Sequence, residues 1–242
     1  MHRFLPIVLP TAAGQPSPAA AKCNPGRPDR GNEFYQAGWR RTPGTTVGGI
    51  YSNILNYSPW VYPTGRPWPH TSGWAMIQQS SGANWAQVGW MEEPWDPNHQ
   101  LYAKRYVFVQ WTVNGSWNTP ILFDQPAGDV GVLWEYKVLY NNTPGKFTFF
   151  YKGTQLPVDA NAGWVPNQGK TAGEIKTLGS QMPGGTNYGD MWMAGSNIWY
   201  SGSWRPFSAS YFEIEPGSPY PNQWGGTALA PPYDYGIHDN RC

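Results

Sequence analysis

Short apolar runs separated by clusters of turn residues recur along most of the chain, and this pattern predicts β-strands rather than helices. Two of the turns are typical of hairpins: "SSGAN" at 80–84 and "NNTPG" at 141–145. The predicted strands cover residues 47–57, 73–80, 85–92, 105–113, 117–124, 133–141, 146–156, 170–177, 190–201 and 209–215.

One of these runs, "RYVFVQWTV" at 105–113, shows little alternation between apolar and polar positions. Both faces of such a strand are covered, as in an inner strand of two stacked sheets. The 29 Gly and 25 Pro residues also argue against long helices, because both are costly in helix interiors. We therefore expect an all-β chain, an antiparallel two-sheet β-sandwich with very little helix.

The charge content of the chain argues against some classes of partner. Only 13% of the residues are charged and the formal net charge is +1, so electrostatics gives no support for a nucleic acid or an acidic membrane as a partner. No apolar stretch approaches the length of a membrane span. Aromatic residues make up 16% of the chain and offer stacking surfaces for sugars or peptides.

The two ends of the chain differ from its middle. Residues 1–33 are expected to be a leader and linker, and 34–242 a single sandwich domain. The leader has the order of a signal peptide, although Pro6 and Pro10 interrupt its short apolar part, and we expect a secreted protein. The stretch 217–242 is rich in Pro and Gly, and we expect an extended strap without regular structure.

The two cysteines, Cys23 and Cys242, bracket the predicted domain. A disulfide between them would pin both ends together and contribute about 4–5 kcal/mol in the chain-entropy model. The alternative is a pair of unrelated thiols. Few charges and many aromatic residues suit an exported, disulfide-bonded protein.

Most catalytic patterns lack support in this sequence. The four histidines, His2, His70, His99 and His238, form no HxH or HExxH pattern, so neither a metal nor another cofactor is expected. No G-x-S-x-G motif occurs, and neither cysteine has a neighbour that would activate it.

The acidic residues leave a few candidates for paired carboxylates. Glu92 and Glu93 precede Pro94, and we expect them to lie in a solvated turn. Glu213 and Glu215 share one face of the last predicted strand, which makes them a possible pair or an ordinary exposed edge.

Two positions stand out from their surroundings. Gln87 is a lone amide between Trp85, Val88 and Trp90 in a strand that is otherwise apolar. A buried amide there is either fully hydrogen-bonded or faces a cleft where it contacts a substrate. Glu174 is the only acid between residues 160 and 189, and it follows Gly173. A glycine at that position leaves room for a ligand to approach the strand. The alternative is that Glu174 is a solvated carboxylate beside Lys176.

Two sequence blocks around these positions resemble the glutamic peptidases of the neprosin-like family. "NWAQVGWMEEP" at 84–94, followed by "RYVFVQWT", resembles the first catalytic block, and "AGEIKTLGSQMPGG" at 172–185 resembles the second. The resemblance spans roughly residues 45–215. It implies a sandwich of two antiparallel sheets, of the jelly-roll or concanavalin-like kind, with two glutamates facing each other in a groove.

The chain departs from that family at one of the two positions. Glu174 corresponds to the second glutamate, whereas Gln87 replaces the first. A Gln–Glu pair resembles that of the eqolisins, the fungal glutamic peptidases. The resemblance thus implies a secreted, acid-active endopeptidase in which Glu174 activates water and Gln87 stabilises the oxyanion.

The substrate implied is a peptide or protein, and Trp74, Trp85 and Trp111 are the residues expected to line the groove. Two alternatives stay open: an aromatic-rich module that binds polysaccharide, and a glycoside hydrolase that uses Glu174 with Glu213 or Glu215. A second carboxylate about 5–10 Å from Glu174 favours the glycosidase. A flat row of exposed Trp rings favours the binding module.

Overall fold

A computed structural model describes residues 35–59, 61, 70–96, 99–141, 145–176, 180–185, 189–209, 211–215, 223–228 and 234–241. The expected leader over 1–33, its export signal, Cys23 and Cys242 lie outside these residues, so the disulfide remains a prediction. Within them, the chain forms strands connected by turns and one short 3-10 helix, Ala127–Asp129. None of the described helical residues belongs to a segment long and apolar enough to cross a membrane.

The described strands are β1 (Tyr35–Arg41), β2 (Val47–Leu55), β3 (Thr71–Gln78), β4 (Trp85–Asp96), β5 (His99–Val113), β6 (Ser116–Trp117), β7 (Ile121–Asp124), β8 (Leu133–Tyr140), β9 (Lys146–Tyr151), β10 (Thr154–Gln155), β11 (Ala160–Asn161), β12 (Gln168–Ile175), β13 (Gly184–Gly185), β14 (Gly189–Tyr200), β15 (Ser203–Pro206), β16 (Tyr211–Glu215), β17 (Trp224–Ala228) and β18 (Tyr235–Asp239).

These strands form two sheets, which confirms the predicted fold class. The first sheet has the strand order β16-β1-β12-β3-β4-β5-β6, with β7 also paired to β5. The second has the order β10-β9-β8-β2-β14-β13-β18-β17, with β11 paired to β9 and β15 paired to β14.

The pairings are antiparallel except for one parallel bridge between β13 and β18. Local turn chemistry explains the tight hairpins of the first sheet. Asn114 and Gly115 both have positive φ, 52° and 76°, as the two central residues of the β5–β6 turn. This conformation matches the twist of the flanking strands, and Asn-Gly is the pair that adopts it most readily.

The core lies between the two sheets. Alternate residues of β4 and β5, such as Val88 and Val109, belong to one buried apolar cluster together with Ile50 of β2 and Phe149 of β9. The indole N–H of Trp90 crosses the core and donates to the Leu55 carbonyl at 3.1 Å. A buried indole N–H needs such a partner, so this hydrogen bond ties the first sheet to the second.

The outer face of the first sheet is also partly buried. All eight residues of β3 and all eight of β12 are buried, although only every second side chain can face the core. A second apolar cluster therefore covers the outer face of these strands: Trp74, Met76, Met91, Phe108 and Ala172. This cluster is the floor on which the candidate site is built.

Each of the ten predicted runs overlaps a strand, with boundaries shifted by a few residues. The prediction for the tail was wrong, because residues 224–228 and 235–239 form an antiparallel hairpin. Its glycines serve close packing: a Cβ on Gly225 would lie 2.1 Å from His238 Nε2, and one on Gly226 would lie 2.5 Å from the Phe212 ring.

The expectation of a solvated turn was wrong for both Glu92 and Glu93, which lie within β4. Glu92 is fully buried, and its carboxylate accepts a hydrogen bond from Arg105 Nε at 2.8 Å. Burial of a carboxylate requires such a partner, and Arg105 is the residue directly opposite on β5. The pair is a cross-strand ion pair within the β4–β5 ladder, which continues to Asp96 and His99.

The contact between β3 and β4 gives a stability prediction. A Cβ at Gly89 would lie 2.1 Å from the Gly73 carbonyl oxygen and 2.7 Å from Trp74 Cα, which are backbone atoms that cannot move aside. We expect Gly89→Ala to lower the free energy of unfolding by about 3 kcal/mol or more, measured by chemical denaturation. The control is Gly128→Ala, where a Cβ meets nothing within 4 Å. Equal stability of the two variants would contradict this strand packing.

Candidate functional site

A groove runs over the outer face of β12, β3, β4 and β5. It consists of two adjoining cavities of about 400 and 330 Å³. Four residues line both cavities: Gln87, Gln110, Trp117 and Glu174. The two residues that stood out in the sequence are therefore brought to the same groove.

Glu174 lies near the end of β12, and only 8% of it is exposed. Its Oε1 is 3.0 Å from Nε2 of His70. His70 directly precedes β3, and its carbonyl accepts a hydrogen bond from the backbone N–H of Lys176 at 3.1 Å. The β3–β12 ladder is thereby extended past its last bridge, which holds the histidine beside the carboxylate.

Gln87 lies on the same face, with 4% of the residue exposed. Its Nε2 is 3.4 Å from Oε1 of Gln110, the residue directly opposite on β5. Gln110 Nε2 in turn donates to the Asn118 carbonyl at 2.9 Å, which leaves Gln110 Oε1 as the acceptor for Gln87. The Oε1 of Gln87 is buried and has no hydrogen-bond partner.

The strand register sets the relation between the two residues. Glu174 is opposite Ser72 on β3, and Ser72 is opposite Met91 on β4. Gln87 lies four residues before Met91 on that strand. Two strand spacings and four residues correspond to about 16 Å between the two Cα atoms on a flat sheet. The hydrogen bonds of the two side chains do not shorten this gap, because Gln87 contacts Gln110 on β5 and Glu174 contacts His70 at the other end of the groove.

Two further charged groups lie near Glu174. Desolvation lowers the pKa of Lys176, and the carboxylates of Glu93 and Glu174 oppose this effect. Burial raises the pKa of Glu93, against the opposing effect of His70, Lys176 and Lys104. This end of the groove thus combines two carboxyls with a histidine and a lysine in a partly desolvated setting.

The three tryptophans that were expected in the groove occupy different places. Trp85 lines the larger cavity and meets Trp117 edge to face, with ring centroids 5.8 Å apart. Trp74 is fully buried in the floor, with Lys170 Nζ 5.7 Å from its ring. Trp111 lies on the other face of β5, where it packs against Phe149 of the second sheet, and it does not line the groove.

The rim beside Trp117 is held together by Asn84. Its Oδ1 accepts a hydrogen bond from the Gly115 backbone N–H at 2.9 Å, and its Nδ2 donates to Gln79 Oε1 at 2.6 Å. The first bond joins the tip of the β3–β4 hairpin to the tip of the β5–β6 hairpin, and the second fixes Asn84 within its own turn. The groove is therefore bounded at this end by two turns that hold each other in place.

Glu174 is the only carboxylate among the described residues that line the two cavities. Glu213 is instead paired with Lys170 at 2.5 Å and with Arg40 at 2.7 Å. The side chain of Glu215 lies outside the described set. Within the described residues no cluster of three or more His, Cys, Asp or Glu could hold a metal ion.

Sequence reasoning missed His70 and Gln110 as members of the site. His70 is followed by a predicted strand, and nothing in the local sequence indicates which strand it will face. Gln110 breaks an apolar run in the same way as Gln87 does, so the same signal, a lone amide in a buried strand, could have identified it.

Comparison with known proteins identifies no family. No family model matches the chain, and neither does any curated protein. A β-glucanase of Bacillus licheniformis aligns at 11% identity and a TM-score of 0.30, over 63% of this chain and 56% of its own. LamAcat of Zobellia galactanivorans aligns at 13% identity and a TM-score of 0.37, over 84% of this chain and 68% of its own. Sheep galectin-11 aligns at 14% identity and a TM-score of 0.32, over 63% of this chain and 98% of its own.

The match to the glucanase spans little more than half of that protein's length. None of these distant likenesses carries an argument about the activity of this chain.

The unpartnered oxygen of Gln87 gives a prediction about stability. We expect Gln87→Met to raise the free energy of unfolding by about 1 kcal/mol, because it removes a buried acceptor without a donor. Gln110, which is only partly buried, can replace the lost bond with water.

The matched control is Gln78→Met in the neighbouring strand. Gln78 Nε2 donates to Gln168 Oε1 at 2.8 Å, so this variant leaves a buried oxygen without its donor and lowers stability. Chemical denaturation measures the free energy of unfolding of both variants. An equal loss of stability in both would contradict the assignment of the Gln87 oxygen as an unsatisfied group.

Proposed function

We propose that this protein is a peptide-bond hydrolase of the glutamic peptidase type, with Glu174 and Gln87 as its catalytic residues. The supporting observation is that the groove holds one carboxylate and one buried amide whose oxygen has no partner. A buried polar group without a partner calls for an explanation, and a bound ligand is one such explanation. A peptide supplies both an N–H donor and a carbonyl acceptor to such an amide.

The reaction requires a base and a donor to the oxyanion. Glu174 accepts a proton from a water molecule while the water oxygen bonds to the carbonyl carbon of the substrate. The π electrons of the carbonyl move to its oxygen, and an N–H of the Gln87 amide donates to the resulting oxyanion. When the carbonyl reforms, the C–N bond breaks and Glu174 returns the proton to the leaving nitrogen.

The positions of the two residues set a condition on this mechanism. Their Cα atoms are about 16 Å apart on a flat sheet. The Gln87 amide lies toward Gln110 on β5, and the Glu174 carboxylate lies toward His70. Both groups act on one tetrahedral intermediate only if a bound substrate draws the Gln87 amide away from Gln110 and toward Glu174.

A glycoside hydrolase with two carboxylates receives less support from the described groove. Its second acid would be Glu213, which is neutralised by Lys170 and Arg40. Glu213 lines neither cavity, and neither does Glu93, the other carboxyl at this end of the groove, so the described lining offers Glu174 no second acid.

The test of Glu174 is cleavage of a denatured protein mixture, followed by mass spectrometry of the products. We expect Glu174→Gln to remove nearly all activity, because an amide cannot accept the proton of water. The matched control is Glu135→Gln on β8 of the second sheet, where the carboxylate is paired with Lys137 at 3.1 Å. The proposal is refuted if wild-type protein cleaves no peptide at any pH, or if the Glu174→Gln variant is fully active. Cleavage of β-glucan instead would favour the glycosidase.

The test of Gln87 separates rate from specificity. We expect Gln87→Ala to lower kcat by about 10²–10³-fold, since it removes an oxyanion donor, and to leave the cleavage sites unchanged. Gln155→Ala, at an exposed position of β10, is the matched control. A change in cleavage sites with an unchanged kcat would assign Gln87 to substrate selection rather than to catalysis.

A second variant at the same position tests the pH dependence. In Gln87→Glu, the negative charge of Glu174 raises the pKa of the introduced carboxyl. The introduced group donates a hydrogen bond only while it is protonated, so activity falls as the pH rises through that pKa. We expect the alkaline limb of the kcat/KM profile to move to lower pH than in wild type, whose amide does not titrate. Superimposable profiles would contradict the role of position 87 as a donor.

A further inference from the structure

The contact between His70 and Glu174 has features that a surface ion pair lacks. The two side chains are only 6% and 10% exposed, and Nε2 is 3.0 Å from Oε1. Both residues belong to the groove, since both line its smaller cavity. An interaction between two nearly buried groups is screened little by water, so it can hold the carboxylate in a fixed orientation.

The sheet register explains why this contact forms. Ser72 is directly opposite Glu174, and His70 lies two residues before Ser72 on the adjoining strand. Residues in this diagonal relation share a face and lie within reach of long side chains. Thr71 Oγ1 also donates to the Gln181 carbonyl at 3.0 Å, so the residue that follows His70 is held in place as well.

The hydrogen bond occupies one oxygen of the carboxylate and leaves the other. For the contact to be a hydrogen bond to an ionised Glu174, His70 must carry its hydrogen on Nε2. Within the described residues, no protein group donates to Oε2 of Glu174, and this oxygen is available to a water molecule.

We propose that His70 is a positioning residue, which fixes the Glu174 carboxylate so that Oε2 receives the proton of the attacking water. This inference rests on the proposed peptidase activity. A general base that is itself oriented by a third group is a recurrent arrangement in hydrolases. In this protein the orienting group is His70, and it donates the hydrogen bond, because an ionised carboxylate can only accept one.

The charged groups around His70 come from three segments. They are Glu174 in β12, Lys176 just after it, and Glu93 in β4, whose own pKa is raised by burial. A change at His70 alters the environment of all three, so activity at a single pH is an insufficient test.

The activity test compares His70→Ala with His70→Gln, because a glutamine N–H can occupy the place of Nε2–H. We expect His70→Ala to lower kcat by about 10- to 100-fold, the range for loss of a partner that orients a functional side chain. We expect KM to change little and His70→Gln to recover most of the rate across the pH profile. Substrate-binding loss would appear as a raised KM instead.

The matched control is His238→Ala. His238 Nδ1 is 2.9 Å from Asp190 Oδ1 in the second sheet, a similar pair that lies away from the groove. Its removal should leave kcat unchanged. Circular dichroism of all variants checks that each is folded.

A nitrogen-15 NMR measurement on wild-type protein tests the contact without any substrate. We expect a His70 Nε2–H resonance that exchanges slowly with solvent and that Glu174→Ala abolishes. If this resonance is absent, or if His70→Ala is as active as wild type while Glu174→Gln is inactive, the positioning role is refuted and the peptidase proposal stands. If wild-type protein cleaves no peptide, the peptidase proposal fails and the role of His70 in it fails as well.

Discussion

The two-residue repeat of the first sheet is the constraint on which the candidate site depends. Along β4 and β12, every second side chain faces the core and the intervening ones face the groove. Gln87 and Glu174 share the groove face only because the register of β4, β3 and β12 is the one observed. A slip of one residue would turn either side chain into the core. The Trp90–Leu55 hydrogen bond and the close approach of Gly89 to Gly73 hold that register.

The polar side chains of the groove lie on an apolar floor, and they differ in how many hydrogen-bond or ion-pair partners they have. Lys170 is buried, but Glu213 and Gln36 lie within 2.5 and 2.9 Å of its ammonium nitrogen. Glu174 has His70. The oxygen of Gln87 has no partner at all, which costs stability that the fold recovers elsewhere. A destabilising, unsatisfied polar group is typical of positions kept for function rather than for folding.

The second sheet supports the site from a distance. Asp239 of β18 accepts a hydrogen bond from the Met182 backbone N–H at 2.9 Å, and Arg241 donates to the Ser180 carbonyl at 2.9 Å. Residues 180–182 follow Glu174 in the chain, and Gln181 also accepts the hydrogen bond from Thr71 beside His70. The hairpin formed by the tail thus holds the segment that leaves the site, which gives the Gly-rich end of the chain a structural role.

The sequence by itself determined the fold class, because strand periodicity and turn residues are local properties that need no knowledge of the partner strand. It also singled out Gln87 as a lone amide in an apolar strand, and Glu174 as the only acid of a long stretch, directly after a glycine; both signals are visible without a structure. Only the tertiary structure decided which other residues meet them. His70 precedes Glu174 by more than a hundred residues and reaches it through the β3–β12 pairing, whereas Trp111 is turned into the core by its parity on β5. Glu92 was misjudged for the same reason, because its burial depends on Arg105 directly across the ladder. Two hairpin turns indicate the pairing of neighbouring strands, but pairing between strands distant in the chain, such as β3 with β12, is a long-range property that no local pattern in this chain specifies.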